Sequence, residues 1–127
     1  MKTLRTSKKF RIYKSARREL GTKFPAAFPH TGKRPPLKIG IFDDIRSHGG
    51  VSVPLSHCRL FLRIWTNSTA YLRNFETGRE RVGLHGEVSG DVLDRHAVEA
   101  RSCILERKKR RATIDMTRDT GIRSLST

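Results

Sequence analysis

The sequence predicts an α+β fold that is mostly α-helical, a compact domain of about five helices with a small β-hairpin, flanked by basic flexible arms. Three observations lead there. Apolar residues recur at three- and four-residue spacing through the middle and last third of the chain, while only one stretch, Arg81–His85, alternates with period two. Charge is heavily one-sided, 27 Lys+Arg against 12 Asp+Glu, a formal +15 in 127 residues. Its cations gather toward both ends, outside the apolar segments.

Taken in order, residues 1–18 carry Lys2, Arg5, Lys8, Lys9, Arg11, Lys14, Arg17 and Arg18 with no acid, so this segment is expected to repel itself and stay extended as a basic arm. The domain then spans 19–111. Glu19–Phe24 reads as the end of a short helix closed by Pro25, with Phe24, Ala27 and Phe28 as apolar anchors before a loop, His30–Pro36, in which Gly32, Pro35 and Pro36 forbid a continuous helix. Leu37, Ile41 and Ile45, widened by Ile39 and Phe42, predict a helix over about 37–47, ended by Gly49-Gly50. Val51–Pro54 is a connector, and Pro54 suits the first turn of a helix running to about Trp65. That helix places Leu55, Cys58, Leu62 and Trp65 on one face and Arg59 and Arg63 on another.

Thr66, Asn67 or Ser68 can cap a following helix through about Phe75, with Tyr71, Leu72 and Phe75 facing the core or its rim, until Gly78 breaks it. Alternation in Arg81–His85 puts Val82 and Leu84 on one face of a strand and Arg81, Gly83 and His85 on the other, expected to be exposed. Gly86–Gly90 then supplies a turn that returns the chain through Asp91–Leu93. Asp94 is a plausible N-cap for a last helix over about 95–110 whose buried stripe is Ala97, Ala100, Ile104 and Leu105, and whose end, Arg107–Arg111, projects toward solvent. Residues 112–127 form a polar tail with too few apolar groups to order alone.

Several function classes drop out. Cys58 and Cys103 have neither CxxC nor Cys/His spacing nearby, so a zinc site and a disulfide framework are not indicated, and a reduced, cytoplasmic protein fits. No apolar run approaches a membrane span, the N-terminus lacks the apolar region of a secretory signal, and neither arm shows a broad apolar helical face, so no membrane partner is expected. His30, His48, His57, His85 and His96 are scattered without metal-ligand spacing, and no GxSxG, P-loop or GxGxxG occurs. The expectation is a monomeric non-enzyme with no cofactor, no metal and no small-molecule substrate. Asp43 and Asp44 are adjacent on a helix and point in different directions, which disfavours Mg²⁺ and favours pairing of Asp44 with a nearby Arg or backbone group. A polyanion is the partner that such a charge attracts, above all a nucleic acid.

Lys38 stands out as a cation inside an apolar run. Around it lie four ordered blocks: Phe24-Pro25, then Pro36-Leu37-Lys38-Ile39-Gly40-Ile41-Phe42-Asp43-Asp44-Ile45, then Trp65-Thr66-Asn67-Ser68 with Tyr71-Leu72, then Arg81-Val82 with Leu84, Gly86, Gly90, His96 and Ala100. In these blocks, over roughly Phe24 to Ile104, the chain resembles the ProQ/FinO family of bacterial RNA-binding proteins and RNA chaperones, in a minimal single-domain form. The resemblance implies a mostly helical domain with a small β-element and a concave basic face for structured RNA, typically a duplex stem followed by a single-stranded 3′ tail, as in a terminator. It implies further that Lys38, Tyr71 and Arg81 match RNA-contacting residues, with Arg59 and Arg63 on the same face. Gly83 and His85 depart from the family, which usually has acids there, and Trp65 replaces a Tyr.

The residue types suit RNA. Side chains cannot read the deep major groove of an A-form duplex, so recognition uses phosphates, 2′-hydroxyls and unstacked ends. Arg59 and Arg63 can span neighbouring phosphates through bidentate hydrogen bonds, or form an ordinary solvated helix face. Lys38 can meet a terminal phosphate or sugar, or snorkel from a core helix. Tyr71 can stack on a splayed nucleotide or sit at the core rim. Arg81 is read as an exposed strand cation, with a surface salt bridge as the alternative. His85 can donate to phosphate or be a solvated turn residue; Thr66, Asn67 and Ser68 can bind the RNA 3′ end or simply cap a helix. The function expected is binding of small RNAs or mRNA 3′ ends, stabilising them and promoting annealing or strand exchange. The alternative is a nonspecific basic nucleic-acid-binding protein, either a DNA-binding regulator or a ribosome-associated protein.

Overall fold

A computed structural model describes the backbone of residues 2–126 and the side chains of residues 8–114. Its elements in chain order are α1 (Lys2–Lys23), α2 (Ile41–His48), α3 (Leu55–Thr66), α4 (Thr69–Leu72), β1 (Glu80–Val82), β2 (Val88–Asp91) and α5 (Asp94–Ser126). The expected class, five helices with one antiparallel hairpin, is the one observed.

The N-terminus corrects the expectation of an extended arm: α1 is helical from Lys2, and Ala16 and Leu20 are fully buried. Tyr13, three residues before Ala16, stacks its ring on Phe61 of α3 at 5.4 Å. Tyr13, Ala16 and Leu20 fall on one face at helical spacing, so a narrow apolar stripe docks while Lys8, Lys9, Arg11, Lys14 and Arg18 remain exposed. Charge repulsion is relieved by solvent on that outer face, and packing supplies what the isolated segment lacks. The side chains of Lys2 and Arg5 lie outside the described residues. At the other end, α5 continues past the expected stop near 110 to Ser126, so the tail is not irregular in its backbone; its side chains beyond residue 114 lie outside the described residues.

The second correction concerns the segment holding Lys38. Leu37, Ile41 and Ile45 do have helical spacing, yet α2 starts only at Ile41. Leu37 instead forms a parallel bridge to Val82, with the Lys38 N–H donating to the Val82 carbonyl at 2.8 Å and the Val82 N–H donating to the Pro36 carbonyl at 2.9 Å. Gly40, at φ 87°, turns this extended segment into the helix, a conformation open to glycine because it has no Cβ. Ile39 consequently faces solvent, 72% exposed, instead of widening a core stripe.

α3 buries Cys58, Phe61 and Trp65, while Leu55 at its start stays largely exposed. α4 is a single turn, shorter than expected, and Ser68 is its cap, the hydroxyl accepting from the Tyr71 N–H at 3.2 Å. The hairpin turns earlier than expected. Gly83 and Glu87 close it, through the Gly83 N–H donating to the Glu87 carbonyl at 2.8 Å, and β2 pairs Val88 with Val82 and Asp91 with Glu80. On α5, Ala97 and Ala100 are buried and Ile104 is half-buried, but Leu105, one residue further round the helix, is exposed.

The core is aromatic. Phe28 meets Phe61 edge to face at 5.2 Å and Trp65 at 5.7 Å, while Phe61 and Trp65 lie 5.3 Å apart. Such pairs contribute about 0.5–1.5 kcal/mol each beyond area burial. They join α1, the Phe24–Phe28 turn and α3 into the platform on which the Leu37 segment and the hairpin rest.

Candidate nucleic-acid interface

The interface is organised around the backbone of Leu37. Its N–H donates to the Tyr71 hydroxyl at 2.9 Å, and its carbonyl accepts from Arg81 Nη1 at 2.8 Å. Both backbone polar groups of one buried residue are therefore satisfied by side chains, from α4 and β1 respectively, as burial requires. Arg81 extends the frame: Nη2 lies 3.1 Å from Nδ1 of His96 on α5, and the guanidinium sits 5.2 Å from the Phe75 ring centre. A guanidinium only donates, so Nδ1 of His96 accepts and the imidazole carries its proton on Nε2.

This geometry overturns the expectation for Arg81. It is 7% exposed and points inward, not out from the strand. Val82 and Leu84 pack on the core as expected and His85 is exposed, but the face carrying Arg81 is covered as well, because the guanidinium is enclosed by Leu37, Phe75 and His96. Tyr71 is likewise buried, its ring 5.1 Å from that of Phe75. Burial pushes its hydroxyl above the usual tyrosine range, opposed by the Leu37 N–H and the Arg81 charge.

Lys38 follows directly on the gripped residue. Its Nζ pairs with Asp44 Oδ2 on α2 at 2.8 Å, with about a third of each side chain exposed (35% and 33%). The hydrogen bond to Asp44, and then its charge, raise the Lys38 pKa, so the amine stays cationic. Asp44 thus pairs with a lysine and not with the expected arginine or backbone, while Asp43 pairs with Arg46 at 3.0 Å.

Arg59 and Arg63 are exposed on α3. Arg59 lies over the Phe42 ring at 4.6 Å and, with Arg46 and Leu55, borders a recess of about 410 Å³ between α2 and α3. The hydroxyls of Thr66 and Ser68 are engaged internally, donating to the carbonyls of Leu62 and Trp65, both at 2.7 Å. Asn67 Oδ1 accepts from Arg107 Nη2 at 2.8 Å, and Thr69 Oγ1 accepts from Arg107 Nη1 at 3.0 Å. His85 stands apart from the Leu37 frame, its exposed ring against Phe24 at 5.8 Å and His48 at 6.3 Å.

Two residues escaped the sequence reading. Arg107 belongs to a run expected to project into solvent, yet it is half-buried and locks the α4 entrance to α5. Arg34, an unremarked loop cation, donates from Nη1 to Ser68 Oγ at 2.9 Å and lies 3.8 Å from the Trp65 ring centre. Nothing local signals either contact, since each partner lies more than thirty residues away in sequence. Among the described residues no cluster of His, Cys, Asp and Glu is arranged to hold a metal, and no helix is long and apolar enough to cross a membrane.

Two comparisons bear on this arrangement. The sequence profile of the ProQ/FINO family matches residues 12–116. The NMR solution structure of a ProQ homolog from Legionella pneumophila is similar to this chain at 30% identity and a TM-score of 0.61, over 73% of this chain and 80% of that one.

Proposed function

The chain belongs to the ProQ/FinO family of RNA-binding proteins, and on that premise we propose that it recognises a duplex stem followed by a free single-stranded 3′ tail. In this reading Lys38 meets the phosphate or sugar of the terminal nucleotide, and Arg59 and Arg63 contact stem phosphates from α3. Tyr71 and Arg81 act by holding Leu37, and hence Lys38, in place. Asn67 aligns Arg107 and the basic run that follows it, Thr66 and Ser68 cap the helices beneath, and His85 adds a donor at the hairpin turn. Exposed cations on α1 and α5 supply affinity without sequence preference and lower the repulsion between two RNAs, which favours annealing, strand exchange and protection of RNA 3′ ends.

The observation that carries this reading is the double grip on Leu37. It spends a buried arginine and a buried tyrosine hydroxyl on the placement of one half-buried lysine. The test is a titration at two salt concentrations with a 3′-tailed RNA hairpin, the same hairpin with its 3′ end blocked, and a matched DNA hairpin. Preference for the free-ended RNA that survives higher salt is expected. Lys38→Ala should abolish that preference and weaken binding about tenfold, the scale of a charge-assisted hydrogen bond. Equal binding to all three probes, collapsing together as salt rises, would sink the proposal in favour of nonspecific charge attraction.

A further inference from the structure

We propose that a cavity between α1 and α3 is a second RNA subsite that takes a single unstacked nucleotide, its base against Phe10 and Ile64 and its phosphate toward Lys9, Arg17 and Arg34. The inference rests on the RNA-binding reading above and adds a place for a nucleotide other than the 3′ terminal one.

The cavity has a volume of about 500 Å³, within the range that holds small organic ligands. Its apolar surface includes Phe10 and Ile64, which remain 55% and 37% exposed, and Tyr13, whose ring is braced on Phe61. Lys9, Arg17 and Arg34 supply the charge, and no acid lines the space. Lys14 adds a further cation, its Nζ 5.1 Å from the Phe10 ring centre.

Arg34 is prearranged by its hydrogen bond to Ser68 and by the Trp65 ring 3.8 Å from its guanidinium, so binding to it sacrifices little side-chain freedom. Flat apolar surface beside guanidinium planes is the combination on which splayed bases stack, and it accepts any base because each has a π-face. An acidic peptide would satisfy the charges as well. RNA is the occupant that the structure favours, because three cations and no acid line a space that also presents the Phe10 and Tyr13 rings, which suits a phosphate joined to a flat base.

The test uses the full chain and RNA hairpins whose single-stranded segment carries 2-aminopurine at successive positions, with a blunt stem as control. One position should show stacking-dependent fluorescence quenching in the wild type. Phe10→Ala should lose that quenching and weaken binding of the tailed RNA at least about fivefold while leaving the blunt stem unchanged, and Phe10→Trp should retain both signals. Thermal melting should be unaffected, since Phe10 is more than half exposed. Unchanged quenching and affinity in Phe10→Ala would overturn the subsite. So would equal losses on both RNAs, or Phe10-dependent capture of an acidic peptide with RNA binding intact. The two readings fail separately: Phe10-dependent quenching without preference for a free 3′ end removes the terminal-nucleotide site and keeps this one.

Discussion

Tyr71→Phe separates the two roles that a tyrosine at this position can play. The substitution keeps the ring and its packing 5.1 Å from Phe75 but deletes the oxygen that accepts the Leu37 N–H. That N–H lies on a residue only 3% exposed, so water cannot replace the lost acceptor without opening the segment. Stranding a buried donor costs about 1–3 kcal/mol. A domain of this size is stabilised by roughly 5–15 kcal/mol, so the variant remains folded at room temperature. Its Tm should fall by about 4–8 °C for each kcal/mol lost. The arginine still holds the Leu37 carbonyl, but Leu37, next to Lys38, now has one side-chain anchor where it had two. The expected result is a lower urea midpoint at unchanged m-value, accompanied by several-fold weaker binding of a 3′-tailed RNA hairpin. If the phenol's ring stacked on RNA, stability would be untouched and binding preserved. An unchanged urea midpoint would therefore refute the grip. Tyr71→Ala is a poorer probe, because removing a buried aromatic costs about 3–5 kcal/mol and mixes unfolding with lost binding.

Two further outcomes follow from contacts outside the frame. Glu19 on α1 accepts from the backbone N–H and, at 2.5 Å, from the hydroxyl of Ser52 in the connector before α3. Burial pushes its pKa up, but the hydrogen bonds from Ser52 and the charge of Lys23 outweigh this and leave it below the ordinary 4.5. A depressed carboxylate stabilises the fold above its unfolded value and loses that contribution as pH falls through the folded one, so melting temperature should drop as pH falls below the ordinary carboxylate value of 4.5. Glu19→Gln should flatten that drop; identical pH profiles for the two proteins would reject the clamp. Arg107→Ala removes both hydrogen bonds to the α4 entrance, at a cost of roughly 1 kcal/mol, and should speed amide hydrogen exchange over residues 66–69. Unaltered exchange there would mean that α5 is held by Ala97 and Ala100 alone.

What could be read in advance follows from the range of the signal. Helices whose stripe is local, such as Cys58 and Trp65 on α3 or Ala97 and Ala100 on α5, were legible because the spacing itself carries the information. The start of α2 was not, because Leu37 answers to Val82, far along the chain, and only Gly40 hints that the helical spacing is interrupted. α1 was obscured by composition: its cations dominate the segment, and the stripe of Tyr13, Ala16 and Leu20 has meaning only once Phe61 is opposite. Arg81 illustrates a different limit. Alternation assigned Val82 and Leu84 to the core side, but it carries no information on whether the opposite face is also covered, and at Arg81 residues from distant segments, Leu37, Phe75 and His96, cover it.

The burial of Arg81 changes how binding defects in this fold are to be interpreted. A buried guanidinium is costly unless its donors are met, and Arg81 meets this cost incompletely, with Nε left without a protein partner. An apolar side chain would avoid that penalty but would strand the buried Leu37 carbonyl, so the arginine's place in the fold is tied to that one backbone group. Leu37 is fixed by one side chain at its N–H and another at its carbonyl, Lys38 is tied by its own N–H to β1, and the Lys38 amine is tied to Asp44 on α2. Three elements, α2, α4 and β1, thus converge on one half-buried cation, whose position becomes a property of the whole domain. Loss of RNA binding on changing Tyr71 or Arg81 is then no proof that either touches RNA. In the proposed reading, contact falls to the cations that solvent reaches, Lys38 together with Arg59 and Arg63, and the buried pair acts by holding Lys38 where a phosphate can be met.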